Sequence, residues 1–380
     1  MSATLVRRCG ISRDGRGPPS RYGGQVSGGG APYAHKLREV SARDRDWDGV
    51  RLHVVTGKGG TGKTTLSAAL ALALAAEGGR VLLVEVEGRQ GIAQLFDCPP
   101  LPYEERRVAV APGGGDVHAL AVDAEAALLE YLEMFYGMRR AGQALTRFGV
   151  VDFATTIAPG MRDVLLTGKA TEAVRRRVRR DRARRPGGDG REAFVYDAVV
   201  LDAPPTGRVA RFLNVNAEVA GLAKVGPIRN HADRVMEVMR SPETVVHFVA
   251  MLEEMPAQEC LDGIAEIRRV GLNVGGVLVN MVRPPLLDPA ALADAARGEV
   301  DVAALARGLK SAGLEHADRM AGDLGRELVE HARRVRAEGE VRERLATAGR
   351  PRYELPYLSD GVDLAGLYRL AEELRAQGAA

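Results

Sequence analysis

The alternation of apolar and polar positions divides the chain into strands and helices from Leu52 onward. Leu52 to Thr56 is a short apolar run, and Lys63 to Glu77 has the periodicity of a helix that ends at Gly78-Gly79. Arg80 to Val86 is again a short apolar run. The order strand, helix, strand predicts a βαβ unit.

Further apolar runs are separated by helical stretches, as in a parallel sheet that is covered on both faces. These runs are Ala198 to Leu201, Val245 to Met251 and Val274 to Asn280. We therefore predict an α/β fold with a doubly wound, mostly parallel sheet. Between Ala124 and Val178 we predict a helical insertion, because five apolar residues share one helical face. They are Leu128, Leu129, Leu132, Phe135 and Met138.

The first 48 residues differ in pattern from the rest of the chain. They are rich in Arg and Gly and include Pro18-Pro19 and Gly28-Gly29-Gly30, so they offer little apolar surface to offset the entropy of ordering. We expect a disordered tail over 1–48 and a single domain over 49–380. The other interpretation is a later translation start, and the intact mass of native protein distinguishes the two.

Composition and charge argue against several classes of protein. The 380 residues are 46% hydrophobic, and 53 basic against 50 acidic side chains give a net charge of +3, which predicts neither specific nucleic-acid binding nor attraction to acidic membranes. No apolar run reaches the roughly 18 residues of a membrane span, and the first residues lack the apolar stretch that a secretory signal requires, so we expect neither. The scattered Cys9, Cys98 and Cys260 exclude a disulfide framework. We expect a cytoplasmic protein.

A glycine-rich motif lies between the first predicted strand and helix. It matches the phosphate-binding pattern G-x-x-x-x-G-K-[ST], in which backbone N–H groups and a helix N-terminus surround the phosphates of ATP. We expect Lys63 to contact the β- and γ-phosphates and Thr64 to ligate Mg²⁺. The alternative is a turn without a ligand. The motif with its following residue is Gly57, Lys58, Gly59, Gly60, Thr61, Gly62, Lys63, Thr64 and Thr65.

Lys58 adds a second lysine to this motif. With it the sequence resembles the deviant-Walker (deviant Walker A) ATPases, which carry Lys-Gly-Gly-x-Gly-Lys-[ST]-[ST]. The resemblance implies that Lys58 is catalytic: it crosses a dimer interface and stabilises charge on the phosphoryl group bound by the partner. One motif copy then implies a homodimer or a heterodimer with a paralogous ATPase. A solvated lysine is the other interpretation.

Two carboxylates, Glu85 and Glu87, follow the second predicted strand on one side of its end. In the deviant-Walker class an Asp at this place positions the attacking water. The resemblance therefore assigns this catalytic role to Glu87, whose extra methylene makes the rate of hydrolysis an open question. A solvated acidic pair is the alternative.

The run Ala198 to Leu201 ends at Asp202, the arrangement that holds Mg²⁺, usually through water. Ala203-Pro204-Pro205-Thr206-Gly207-Arg208 follows and resembles the Asp-Thr-Ala-Pro-Thr-Gly-His switch of the arsenite-pump and tail-anchored-protein-targeting (ArsA-like) ATPase family. Arg208 stands where that family has His, and Ala203 where it has Thr. A Pro-Gly turn after a strand is the other interpretation.

Three further segments extend the resemblance from Leu52 to about Leu374. They are Ala158-Pro159-Gly160, Val277-Leu278-Val279-Asn280 and Glu354-Leu355-Pro356-Tyr357. The family's Asn at the place of Asn280 recognises adenine, and a side-chain amide can pair with a purine edge. A turn-forming Asn at a strand end is the alternative.

Other family features fit less well. Members that bind zinc or arsenite do so through cysteine pairs or clusters, and this chain has neither, so we expect no zinc or arsenite site. An apolar protein client in a methionine-rich groove is one interpretation of five residues, and core packing is the other. They are Met134, Phe135, Met138, Met236 and Met239.

Two surface patterns have simpler interpretations. The arginine run from Arg175 to Arg185 indicates a solvated helix end and loop, although contact with acidic lipid or nucleic acid is the alternative. The pattern from Leu364 to Leu374 predicts an amphipathic helix that packs on the domain, because its polar face carries both signs of charge.

These residues together predict a dimeric switch ATPase that binds and hydrolyses Mg-ATP and acts on an unknown client. The alternative is a nucleotide-dependent scaffold or client carrier with little turnover. A small-molecule kinase is a third class, but it gives Lys58 and the segment after Asp202 no role.

Overall fold

The computed structural model describes residues 46–136, 160–178, 193–222 and 227–380. Within them, helices alternate with the strands of an eight-stranded sheet. The strands are β1 (Leu52–Gly57), β2 (Arg80–Glu85), β3 (Arg106–Val110), β4 (Asp116–Ala121), β5 (Ala198–Asp202), β6 (Thr244–Ala250), β7 (Val274–Val282) and β8 (Arg352–Pro356).

The helices vary from one turn to thirty residues. They are α1 (Lys63–Ala75), α2 (Gly91–Leu95), α3 (Ala124–Tyr136), α4 (Met161–Arg175), α5 (Thr206–Leu222), α6 (Pro227–Met239), α7 (Glu254–Arg269), α8 (Pro289–Ala296), α9 (Val302–Ser311), α10 (Ala317–Ala346) and α11 (Leu364–Ala376). Among the described residues, no helix combines the length and the apolar character that a membrane crossing requires.

The sheet order is β3-β4-β2-β5-β1-β6-β7-β8, and every neighbouring pair is parallel except β3 with β4. The chain leaves β1 toward β2 on one side, and β6 lies on the other. Ligands of open α/β sheets bind at the carboxyl ends of the strands where the order reverses in this way. The fold therefore directs attention to the loop after β1. The predicted α/β class with a mostly parallel sheet is confirmed.

Each central strand is buried on both faces, because helices cover both sides of the sheet. Along β1, Val54 belongs to one apolar core and Val55 to the other. The first core includes residues of α3 to α7 and the end of α10, and the second includes α1, α2 and α11. Helix α1 is rich in Ala and Leu, and fully burying a side chain such as Leu66 or Leu70 contributes about 2 kcal/mol.

The predicted strands and helices differ from the observed ones mainly at their ends. Helix α1 stops at Ala75, two residues before the predicted end, and β7 continues two residues past Asn280. Strands β3 and β4 were not expected: they form the antiparallel edge of the sheet. The predicted insertion contains helices α3 and α4, and its residues 137–159 lie outside the described part of the chain.

The predicted N-terminal tail lies outside the described residues except for its last three, 46–48. Two of these contact the domain: the Trp47 indole donates a hydrogen bond to the Tyr353 hydroxyl at 2.9 Å. The Tyr353 hydroxyl in turn donates to an Asp46 carboxylate oxygen at 2.6 Å. The described chain therefore begins with a segment that is fastened to β8.

Candidate functional site

The loop between β1 and α1 has the backbone of a phosphate cradle. Gly60 and Gly62 have φ of +87° and +86°, a left-handed conformation that costs glycine little and other residues more. A Cβ placed on Gly59 or Gly60 would meet nothing within 4 Å, so the loop faces open space. The N-terminus of α1 follows at Lys63, and its unpaired N–H groups favour an anion there.

Two hydroxyl groups hold the Asp202 carboxylate at the start of α1. Thr64 Oγ1 donates to Asp202 Oδ2 at 2.7 Å, and Ser67 Oγ donates to Asp202 Oδ1 at 3.2 Å. The pairing of β1 with β5 sets Val55 beside Asp202, which brings the end of β5 next to the loop. Ser67 was missed by the sequence analysis, although its spacing of three from Thr64 places both on one helical face.

The Asp202 carboxyl is 6% exposed, and burial raises its pKa to about 6, against the opposing effects of the Thr64 hydroxyl and the Lys63 charge. The charged form is thus incompletely compensated by the protein alone. A divalent cation would compensate it, and a carboxylate beside a threonine hydroxyl supplies the oxygen ligands that Mg²⁺ prefers. The residues therefore fit Mg²⁺ with a nucleotide phosphate.

Lys58 turns away from the loop toward helix α7. Its Nζ lies 2.8 Å from Oε1 of Glu259, and the two side chains are 34% and 36% exposed. The Lys58 carbonyl accepts hydrogen bonds from the hydroxyl and the N–H of Thr61, at 2.8 and 3.3 Å. Glu259 was missed by the sequence analysis, because nothing in its local sequence marks it.

The two carboxylates after β2 have different surroundings. Glu85 is 2% exposed and accepts hydrogen bonds from the N–H groups of Gly91 and Ile92, each at 3.3 Å, so it caps the start of α2. The Glu87 side chain is 22% exposed, and its carboxylate is 4.0 Å from Arg89 Nε. Glu87 thus keeps an accessible carboxylate near the site, whereas Glu85 serves the local structure. The water-positioning role of Glu87 stays a prediction.

Asn280 contacts the loop backbone from β7. Its Nδ2 donates to the Thr61 carbonyl at 2.9 Å, and the residue is 6% exposed. The amide also lies against Gly62, where any Cβ would collide with it. In this structure the amide nitrogen braces the phosphate loop, and adenine recognition by Asn280 stays a prediction.

The segment after Asp202 is fastened to β1 and reaches the helical insertion. Ala203 N–H donates to the Val55 carbonyl at 2.9 Å, and Thr56 Oγ1 donates to the Pro204 carbonyl at 2.7 Å. Helix α5 begins at Thr206, and the Arg208 guanidinium lies 3.4 Å from Asp163 of α4. Arg208, which replaces the family's His, therefore connects this segment with the insertion.

The remaining predicted features are the arginine run and the methionine-rich set. Arg175 pairs with Glu237 at 3.0 Å and Arg176 with Glu105 at 2.7 Å, while residues 179–185 of the arginine run lie outside the described part. Met236 and Met239 are buried in the first core, which favours core packing over a groove for these two. The side chains of Met134 and Phe135, and all of Met138, lie outside the described residues.

The phosphate loop between β1 and α1, together with Thr64 and the buried Asp202, defines a P-loop nucleotide-binding protein. The model of the anion-transporting ATPase family matches residues 50–242 of the chain. The chain belongs to this family. Its enzyme class is accordingly that of an ATPase. The predicted ArsA-like family and the predicted ATPase activity are therefore confirmed.

Three proteins similar to this chain differ in how much of it they match. The ATPase BagA of Mycobacterium tuberculosis is 54% identical over 330 residues, which are 87% of this chain and 94% of BagA. An arsenical pump-driving ATPase of Acidiphilium multivorum is 27% identical over 60% of this chain and 39% of its own length. The ATPase get3 of Schizosaccharomyces japonicus is 24% identical over 50% of this chain and 54% of get3.

Proposed function

We propose that the protein is a switch ATPase that binds and hydrolyses Mg-ATP as a dimer and couples dimer closure to a client. The contact between Thr64 and the buried, incompletely compensated Asp202 carries this proposal, because it supplies a cation site beside the phosphate loop. Residues 49–380 would act as one ATPase domain.

Within this site each predicted residue has a proposed role. Thr64 and Asp202 would hold Mg²⁺, and Lys63 would contact the β- and γ-phosphates. The backbone of Gly57 to Thr65 would surround the phosphates, and Asn280 would contact the adenine ring. The bound Mg²⁺ would neutralise charge on the phosphate oxygens. Glu87 would orient the attacking water from the end of β2.

The dimer enters the proposal through Lys58, the deviant-Walker lysine. The side chain is one third exposed and close to the loop surface, so it can leave its own chain and reach a nucleotide held by a partner. The partner would be a second copy or a paralogous ATPase. The contact of Arg208 with Asp163 offers a physical connection from the nucleotide site to the helical insertion, where a client would be sensed.

A Lys63→Ala substitution tests the proposal. It removes the charge that faces the phosphates, so we expect phosphate release to fall by about 100-fold or more and ATP affinity to fall with it. Lys310→Ala is the matched control, because Lys310 is an exposed lysine that pairs with Asp318 far along the chain. Unchanged ATP binding and turnover in Lys63→Ala would refute the assignment.

One observation favours a second candidate function, a nucleotide-dependent scaffold or client carrier with little turnover. Glu87 stands where the class has Asp, and its carboxylate extends one methylene further. Single-turnover hydrolysis by the protein alone, and after mixing with a paralogue, separates the two functions. Rapid phosphate release by the isolated protein would exclude the scaffold, whereas tight ATP binding without release would support it.

A further inference from the structure

Lys58 is held by a carboxylate of its own chain. Glu259 Oε1 lies 2.8 Å from Lys58 Nζ, a distance at which the ion pair is also a charge-assisted hydrogen bond. Glu259 lies in the first half of helix α7. Ala257, Cys260 and Ile264 of the same helix are buried in the core, so the helix holds the carboxylate in place. The lysine is therefore the movable member of the pair.

The second oxygen of Glu259 reaches the segment that follows Asp202. Thr206 Oγ1 donates to Glu259 Oε2 at 3.4 Å, and Thr206 is the first residue of helix α5. One carboxylate thus contacts the phosphate loop through Lys58 and the segment after Asp202 through Thr206. This side chain therefore connects the phosphate loop with the start of helix α5.

We propose that Glu259 is a positioning residue that holds Lys58 on its own chain until the partner's nucleotide displaces it. The inference rests on the proposed dimeric function and assigns a residue that controls when Lys58 is released. In this proposal the Lys58 ammonium group moves away from Glu259 when it extends across the interface toward the partner's phosphate. Closure of the dimer then exchanges a carboxylate for the more negative phosphate group.

The exposure of the pair sets its strength. Both side chains are about one third exposed, and ion pairs with such access to water contribute only about twofold to fivefold to an equilibrium. The pair is therefore weak enough for a triphosphate to displace and strong enough to disfavour closure without one. Glu259 acts through Lys58 and has no contact with the Thr64 and Asp202 side chains in this structure.

A Glu259→Gln substitution tests the hold on Lys58 without nucleotide. The amide keeps the size of the side chain and an acceptor for Thr206, but it removes the charge that pairs with Lys58. Brief acetylation with an N-hydroxysuccinimide ester, followed by mass spectrometry, should label Lys58 about twofold to fivefold faster in the variant than in wild type. Labelling of Lys310 provides the internal reference. Equal labelling of Lys58 in both proteins would overturn the proposal.

The matched control variant is Glu266→Gln, which lies two turns further along the same helix face, and for which no ion pair occurs in the described part of the chain. It should label like wild type. A conservative Glu259→Asp variant keeps the charge and should move Lys58 labelling back toward the wild-type rate. Thermal unfolding of each variant shows whether it is folded, and a labelling change shared by Glu266→Gln would also overturn the proposal.

Dimerisation tests the exchange itself. With Mg²⁺ and a non-hydrolysable ATP analogue, sedimentation should show that Glu259→Gln lowers the dimer dissociation constant by about twofold to fivefold for each lysine exchanged. In a Lys58→Ala background the same substitution should have no effect, because the two residues act as a pair. An equal effect in both backgrounds would show a purely structural role.

The two proposals fail in different ways. If Lys58→Ala leaves analogue-driven dimerisation and turnover unchanged, the shared site of the proposed function is wrong. If Lys58→Ala impairs both while Glu259→Gln behaves as wild type in labelling and dimerisation, only the holding role of Glu259 is wrong. A weaker dimer in Glu259→Gln would also overturn it, because the carboxylate would then support closure.

Discussion

Two regions of the same sheet bury titratable side chains and treat them differently. At the carboxyl end of β5, Asp202 is 6% exposed and burial raises its pKa to about 6. Near the amino end of β1, His53 is fully buried and burial lowers its pKa to about 4; the pKa of its neighbour His247 also falls well below its ordinary value. Burial disfavours the charged form in both regions, but only Asp202 lies beside an open loop.

The histidine pair shares a hydrogen bond in its neutral state. The Gly276 N–H donates to His247 Nδ1 at 3.0 Å, so His247 must carry its proton on Nε2. His53 Nδ1 lies 3.0 Å from that Nε2 and accepts its proton in a hydrogen bond. The rings are stacked with centroids 5.3 Å apart, and Trp47 meets His247 edge-on. His53 then carries its own proton on Nε2, which is buried without a hydrogen-bond partner among the residues that the structure describes. The two regions therefore differ in access: the histidine pair is enclosed, whereas Asp202 borders the phosphate loop.

An Asp202→Asn substitution has the largest expected effect and tests the Asp202 side of the comparison. Loss of the carboxylate charge should reduce Mg²⁺-dependent phosphate release by about 100-fold. Stability should not fall, because a pKa raised from 3.8 to about 6 means that the folded protein disfavours the charged form by about 3 kcal/mol at neutral pH. Phosphate release and urea unfolding at pH 7.5 measure the two quantities.

The matched control is Asp197→Asn, just before the other end of β5. Asp197 accepts a hydrogen bond from the Arg80 N–H at 2.7 Å and takes no part in the loop. This variant should keep wild-type turnover. Turnover of Asp202→Asn within threefold of wild type would remove Asp202 from the metal site.

Glu87→Gln has a smaller expected effect and tests the difference between Glu87 and Glu85 at the end of β2. If the partly exposed Glu87 carboxylate orients the attacking water, its neutralisation should lower kcat about tenfold with little change in KM, since ground-state binding does not use it. Steady-state phosphate release over a range of ATP concentrations measures both constants.

Glu85→Gln provides the contrast for that experiment. Glu85 caps α2 through Gly91 and Ile92, and Gly91 packs against Thr64, so this variant should lose stability before it loses kcat. A Glu87→Gln enzyme with wild-type kcat would instead assign the water to another residue and return Glu87 to the solvated alternative.

Strands β1, β5 and β6 were predictable from sequence, because a short continuous apolar run is typical of a strand that is buried on both faces. The phosphate loop and Asp202 were predictable for a related reason: each requires particular residues at particular places next to a strand. Strand β3 could not be predicted in this way, because it is only partly buried and begins with the charged residues Arg106 and Arg107. It is an edge strand, where charge is tolerated.

Contacts between distant parts of the chain account for what sequence could not supply. Glu259 meets Lys58, and Asn280 meets Thr61, because β6 pairs with β1 and β7 pairs with β6 in the folded sheet. Likewise, the spacing of Glu85 and Glu87 predicted that both carboxylates face the nucleotide. In the structure, however, Glu85 accepts hydrogen bonds from the start of α2. Residue type and spacing identify the strand ends, whereas the sheet order decides which side chains meet there.

The smallest expected effect concerns the histidine pair and tests the other side of the comparison. The unfolded chain binds a proton at His53 near pH 6.5, whereas the folded protein does so only near pH 4, so folding stability falls as the pH drops through this window. His53→Asn keeps an acceptor at the position of Nδ1 without a titrating group. It should reduce the loss of unfolding free energy between pH 7.5 and 5.5 by about 1.3 kcal/mol.

Urea unfolding at the two pH values measures this difference, and His316→Asn is the control because His316 is exposed and its φ of +57° suits Asn. The comparison of wild type with variant removes the opposite contribution of Asp202, whose raised pKa stabilises the fold as the pH falls below about 6. If His53→Asn kept the wild-type pH dependence, the buried pair would not be neutral. The two regions would then differ in more than the presence of an open loop.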